Sequence, residues 1–294
     1  MIQTDSILTK VIFVAAYILL APLIGGLLAG IDRKISARMQ RRIGPPILQP
    51  FYDVHKLWHK QVIAVEKAQS WFLMTYLILM IFTGAMMFSG TDILMCFFVL
   101  STAAAFLFFA AMVTNSPYGY IGAQRELLQI MAYEPSILMT CVGFYLVAHS
   151  FEVSKIVAGP VSRILYLPGF FAAFVFSLTI KLRKSPFDTS ASRHPHQELV
   201  KGLTTEMGAR NLAIFEIAEW YETVFLCGVV AMFILNTSWV SIPVAILVIL
   251  AVFFLEILID NTNARVKWQS MLLISWVVTL VGGGVNLLIL MLVR

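Results

Sequence analysis

Three carboxylates, Glu216, Glu219 and Glu222, stand three residues apart inside the apolar run NLAIFEIAEWYETVFLCGVV at 211–230. Near the centre of a membrane helix each ionised acid costs about 2.5–3.5 kcal/mol. Three together would cost roughly 8–10 kcal/mol, comparable with the net stability of a whole domain. Such acids must be protonated, paired or hydrated inside a bundle. A step of three residues turns a helix by about 300°, so the three drift across one side of it. They climb from roughly 7 to 16 Å above Asn211, about half of the ~30 Å hydrocarbon depth. The chemistry this favours is a ladder for protons from one membrane face to the midplane.

Other acids fall at similar depth. Glu134 lies in RELLQIMAYEPSILM, about two turns into the fourth apolar run, and Pro135 behind it removes a backbone donor and suggests a local kink. Glu126 is expected at the inner end of that helix, beside Arg125. Glu256 falls near the inner end of the seventh run, with Asp260 four residues on, and the 181–211 connection adds Asp188, Glu198 and Glu206. Chains of intramembrane acids suit proton relays, because burial and like-charged neighbours raise carboxylate pKa values toward neutrality. The competing reading is a set of buried acids neutralised by Arg125, Arg183 or Arg210. The outer half has no matching series, so the chain reads as half a path that continues in a neighbouring subunit.

The elements that would hold these acids are membrane helices. Of 294 residues, 60% are hydrophobic and 13% charged, against 45–50% and about 25% in typical soluble domains. Apolar runs near 20 residues place eight spans at about 8–31, 71–89, 93–114, 127–148, 164–180, 212–235, 240–259 and 271–293. The expectation is an all-α polytopic protein, one integral membrane domain over 1–294, with no cleavable signal. Lys and Arg number 17 in the connections at 32–70, 115–126, 181–211 and 260–270, against four on the other side. The positive-inside rule then puts the two long loops, 32–70 and 181–211, in the cytoplasm and both termini outside, in the cell's inner membrane. The +5 net charge is thus a matter of topology, and no nucleic-acid partner is expected. Within IGPPILQPFYDVHKLWHK, Phe51, Val54, Trp58 and Val62 recur at helical spacing after Pro50, which predicts an amphipathic interfacial helix at about 47–62. It is either a plain anchor or a strap over a cavity. His55 and His59 share a face but lack a third metal ligand, His194-Pro195-His196 forms a turn, and Cys96, Cys141 and Cys227 lie far apart without a CxxC. No metal site or cluster held by this chain is expected.

Three segments carry a resemblance: IDRKISARMQRRIGPPILQP, RELLQIMAYEP and SPFDTSASRHPHQELVKGLTTEMGARNLAIFEIAEWYE. In this order they resemble the complex I subunit-1 (H-subunit) family, over about residues 30–265, and most closely its energy-converting, Ech-type and formate-hydrogenlyase-like [NiFe] hydrogenase branch. Asp188 and Glu198 match the family's PFD and ELV-x-G positions, whereas TSASRHPHQ, with His194 and His196, replaces the acidic middle of quinone-type members. The resemblance implies that Arg33, Arg38, Gln40, Arg42, Gly44 and Pro45 border the peripheral redox arm, with Arg125, Arg210, His194 and His196 at the same interface. It further implies that Glu134, Asp188, Glu198, Glu206 and Glu219 line a funnel of charge toward antiporter-like subunits, while Glu216, Glu222, Glu126 and Glu256 rest on the bilayer argument.

The function implied is a non-catalytic anchor and coupling subunit of an ion-translocating [NiFe] hydrogenase complex. It binds no cofactor itself. The [4Fe-4S] clusters and the NiFe centre belong to the hydrogenase large and small subunits and a ferredoxin-like subunit, with an antiporter-like membrane subunit as a further partner. The alternative is the quinone-binding member of a complex I-like dehydrogenase. A stand-alone transporter is disfavoured, since no inverted repeat or paired broken helices are evident.

Overall fold

The computed structural model describes residues 7–61, 66–184, 186–191 and 201–293. The chain runs α1 (Ile7–Met39), α2 (Gln49–His59), α3 (Lys67–Phe88), α4 (Ile93–Met112), α5 (Pro117–Ala148), the short α6 (Val153–Val157), α7 (Pro168–Lys181), α8 (Ala209–Ile234), α9 (Ser241–Thr262), α10 (Trp268–Val278), a π-helical turn at Thr279–Gly284, and α11 (Val285–Val293). It is an all-α, multi-pass membrane protein. Among the described residues seven helices are long and apolar enough to cross a bilayer, with α10, the π turn and α11 forming the last of them.

The fifth expected span, 164–180, is only partly an α-helix. α7 has 14 residues, which gives about 21 Å against the ~30 Å of hydrocarbon. It starts at Pro168, whose missing N–H suits a first turn, four residues after the expected start because Arg163–Leu165 forms a separate 3₁₀ turn. It ends at Lys181, one residue past the expected end, before Arg183 turns left-handed at φ 53°. Two other boundaries differ from the hydropathy reading. α1 continues to Met39, so Asp32, Arg33 and Arg38 are helical residues rather than loop residues. It ends before Pro45, where Arg41 turns left-handed and the Arg42 N–H reaches back to the Ala37 carbonyl at 2.9 Å. α5 begins at Pro117, ten residues before the expected start. Glu126 is therefore more than two turns inside the helix and not at its end, and α5 runs on past Pro135 without a break.

α8 is the central helix, with 67% of its apolar window buried against 22% for α1. It packs on α1, α2, α3 and α9. Phe225 and Phe233 from α8 join Tyr76, Phe144, Phe170 and Phe174 in a fully buried aromatic core. The expected amphipathic helix is present as α2, lying against α1 and α8. Glycines permit that close approach. A Cβ at Gly26 would stand 2.5 Å from the Phe51 ring, and one at Gly30 would stand 1.8 Å from the Ile47 carbonyl oxygen. The end opposite the basic loops uses its acids structurally: Asp92 caps α4 through the Leu94 N–H at 2.8 Å, and Glu152 pairs with Lys155 at 2.9 Å.

Candidate functional site

α5, α7 and α8 converge at the basic end, and the segment that follows α7 is threaded between them. Glu219 and Glu222 face inward from α8. The Lys181 Nζ lies 2.7 Å from Glu222 Oε1, with only 6% of each side chain exposed. That ammonium also sits 4.4 Å above the centre of the Tyr133 ring from α5. The Arg183 Nε lies 3.1 Å from Glu219 Oε1. Its two terminal nitrogens fork onto Glu126, at 2.9 and 3.2 Å, the bidentate geometry that favours Arg at buried carboxylates. Ser190 Oγ donates to the same Glu126 carboxylate, and Arg125 pairs with Asp188. Burial alone would lower the pKa of the Arg183 guanidinium, but Glu126 and Glu219 outweigh it and hold the group above its ordinary value. It stays charged at any physiological pH.

Lys184 points the other way. Its Nζ lies 2.7 Å from Asp32 on α1 and 4.0 Å from Asp260 on α9, and it is almost fully buried. Two neighbouring clefts meet at Leu182, Thr223 and Phe253. One, with room for little more than a water, contains Asp32 and Lys184. The other, as small, has mostly apolar walls and reaches Glu256. Glu256 is completely buried and neither carboxylate oxygen has a hydrogen-bond partner within 3.5 Å.

The remaining expected residues scatter. Glu134 is half-buried, on the outward stripe of α5 that Leu127, Met131, Leu138, Val142 and Tyr145 form at spacings of three and four. No described residue forms an ion pair with it. Glu216 is half-buried in α8, one turn below Glu219, and Glu206 is half-buried before that helix. Arg210 is exposed in the first turn of α8, Arg38 and Arg42 are exposed around the end of α1, and Arg33 pairs with Asp53 of α2 at 2.6 Å. Glu198, His194 and His196 lie outside the described residues. Among the described residues no group of three His, Cys, Asp or Glu side chains could hold a metal.

The protein family described as NADH dehydrogenase matches residues 10–291. This chain belongs to that family. The resemblance carried by the three motifs is borne out at that level. Similar members include Hydrogenase-4 component C of Escherichia coli (strain K12), 27% identical over 90% of this chain and 91% of that one. Another is an NADH-ubiquinone oxidoreductase chain 1, from Mycosarcoma maydis, 26% identical over 84% of each chain. Among solved structures, a chain of the membrane-bound sulfane sulfur reductase, an archaeal respiratory membrane complex, aligns with a TM-score of 0.80 over 94% of this chain and 99% of its own, at 21% identity. That likeness carries the fold.

Within this family fold, four site residues were invisible to motif reading: Asp32, Lys181, Lys184 and Tyr76. The hydroxyl of Tyr76 is buried without a hydrogen-bond partner, in the field of Glu222, Arg183, Glu219 and Glu126. A sequence signal did exist for two of the four. KLRK at 181–184 places three cations directly after an apolar helix, where snorkelling to water is the ordinary expectation. The structure buries them instead.

Proposed function

We propose that this chain is the membrane anchor and coupling subunit of an ion-translocating, hydrogenase-type respiratory complex. The observation that carries the reading is the stretch 181–184, whose three buried cationic side chains contact carboxylates of α5, α8, α1 and α9 at once. A redox event in peripheral subunits that shifts this segment would change the charge around Glu126, Glu219 and Glu222 together. Hydrogenase large and small subunits and a ferredoxin-like iron–sulfur subunit would dock on the basic side, which the positive-inside rule assigns to the cytoplasm. The clusters and the nickel centre would reside in them. An antiporter-like subunit would cover the α5 stripe, because a half-buried Glu134 near mid-depth is costly against lipid and gains a partner there.

The altered sequence between Asp188 and Glu206, where TSASRHPHQ stands, supports this reading over a quinone site. So does the packing below α2, where Phe51 lies against Gly26 and its ring centre is 5.2 Å from that of Trp220. The quinone reading keeps one observation in its favour, the joined clefts between α1, α8 and α9. The test is Glu219→Gln in the purified complex. Electron transfer and assembly should persist while ion translocation is lost; full translocation would end the relay role. Nickel in a co-purifying soluble subunit would decide between the two readings, as would insensitivity to quinone-site inhibitors.

A further inference from the structure

Four consecutive residues place three cations in three different carboxylate pockets. Lys181 fills the pocket of Glu222, Arg183 that of Glu126 and Glu219, and Lys184 that of Asp32 and Asp260. The pockets lie on four helices, α1, α5, α8 and α9, while the cations ride on one short stretch of chain. Every one of these cationic side chains is 6% exposed or less.

Stability alone does not call for this arrangement. Desolvating an ion pair offsets most of its attraction, and well-packed apolar residues commonly serve as well. The stretch is also strained: Arg183 holds φ at 53°, in a region that costs a non-glycine residue about 1–2 kcal/mol. Around the pockets stand polar atoms that this arrangement leaves without hydrogen-bond partners. They are the hydroxyls of Tyr76, Tyr133 and Ser136, the Gln129 amide nitrogen and Asp188 Oδ1. Glu126, Gln129, Tyr133, Ser136 and Thr140 recur at spacings of three and four, so they form one inward stripe of α5, and all five are buried. A buried polar stripe with open valences is a place where water and a mobile cation can be held.

We propose that the carboxylate pockets of this chain are cation-binding sites seen in a self-occupied state, with Lys181, Arg183 and Lys184 standing in for the transported cation. In this state every carboxylate of the three pockets faces one of these cations, at 2.7 to 4.0 Å. When the 181–184 stretch withdraws toward the basic side, Glu222 loses its counter-charge and takes up one H⁺ from that side. The lysine keeps its own proton throughout. When the ammonium returns it restores the ion pair, and the H⁺ on Glu222 leaves along the α5 stripe. One proton enters and one leaves, with no redox change in this chain. Adjacent cations on one stretch make the three pockets empty and fill together, so the stretch acts as a reversible plug.

The proposal rests on the relay reading of Glu219 but fails separately from it. The purified complex is reconstituted in liposomes with a trapped pH-sensitive dye, and a pH gradient is imposed without electron donor. The wild type should hold the gradient. Lys181→Gln should raise the proton leak several-fold with assembly intact, and Lys181→Arg should restore tightness. An unchanged leak in an assembled Lys181→Gln complex overturns the plug, whatever Glu219→Gln does to translocation. If Lys181→Gln does not assemble, the doubly neutral Lys181→Gln/Glu222→Gln complex decides. Normal electron transfer with lost translocation supports the proposal, and full translocation overturns it, since the pair would then be structural only.

Discussion

At the residue scale, the acids divide by what neutralises them. Glu219 and Glu126 share Arg183, Glu222 has Lys181, and Asp32 has Lys184. Removing one partner of a buried pair typically costs about 3–5 kcal/mol, because the other charge is left unpaired. Asp32→Asn should fall toward the lower end of that range, since Asp260 stands 4.0 Å from the same ammonium and can take over. Adding Lys184→Met should recover much of the loss, and thermal unfolding of the detergent-solubilised protein reads both. Glu219→Gln should leave folding closer to intact, because Arg183 keeps its forked contact with Glu126. Its loss should be in translocation. The burial of Glu126, Glu219, Glu222 and Glu256 agrees with the cost argument, whereas the outward position of Glu134 and the buried Asp32 were not legible. Nor were the partners of those acids, because Arg183 and Lys184 are adjacent in sequence yet reach carboxylates on different helices. That divergence depends on a left-handed turn that no periodicity announces.

At the element scale, α2 is set by glycines. Its apolar face and its first-turn proline were readable from Pro50, Phe51 and Val54. The depth at which it docks was not, since that depends on Gly26 and Gly30 of a helix whose outer stretch reads as plain membrane span. Gly26→Leu should drive the Phe51 ring away and lift α2 from α1, a destabilisation of about 1–3 kcal/mol by analogy with overpacked cores. Limited proteolysis within 40–61, faster than in wild type, would report it. Gly122 is a second such point. A Cβ there would meet the Leu203 amide nitrogen at 2.3 Å, so Gly122→Val should displace the turn at 202–204 and weaken the complex. The late start of α7 escaped the hydropathy reading because Ile164 and Leu165 are apolar yet belong to a separate 3₁₀ turn before Pro168, whereas the end at Lys181 falls within one residue of the expected 180.

At the scale of the whole molecule, we propose that α7 crosses together with the seven long apolar helices, which would put both termini on one side. Ser238 and Lys60, both exposed, should then lie across the membrane from each other. A cysteine introduced at position 60 should react with an impermeant thiol reagent only in inside-out vesicles, and one at 238 only in right-side-out vesicles. The reverse pattern would invert the orientation. The native cysteines lie within spans and are buried or half-buried. α7 adds a further consequence. Because it is only about 21 Å long against a ~30 Å hydrophobic layer, the Lys181–Glu222 pair at its basic end would lie inside the membrane's electric field if α7 starts at the opposite face. Moving one elementary charge through the full field is worth about 2.3 kcal/mol per 100 mV, and each cation drawn in or out beside α7 crosses part of that drop. On the proposed plug, the membrane voltage would bear on the position of the stretch, and a highly charged membrane would resist the movement that carries its cations against the field.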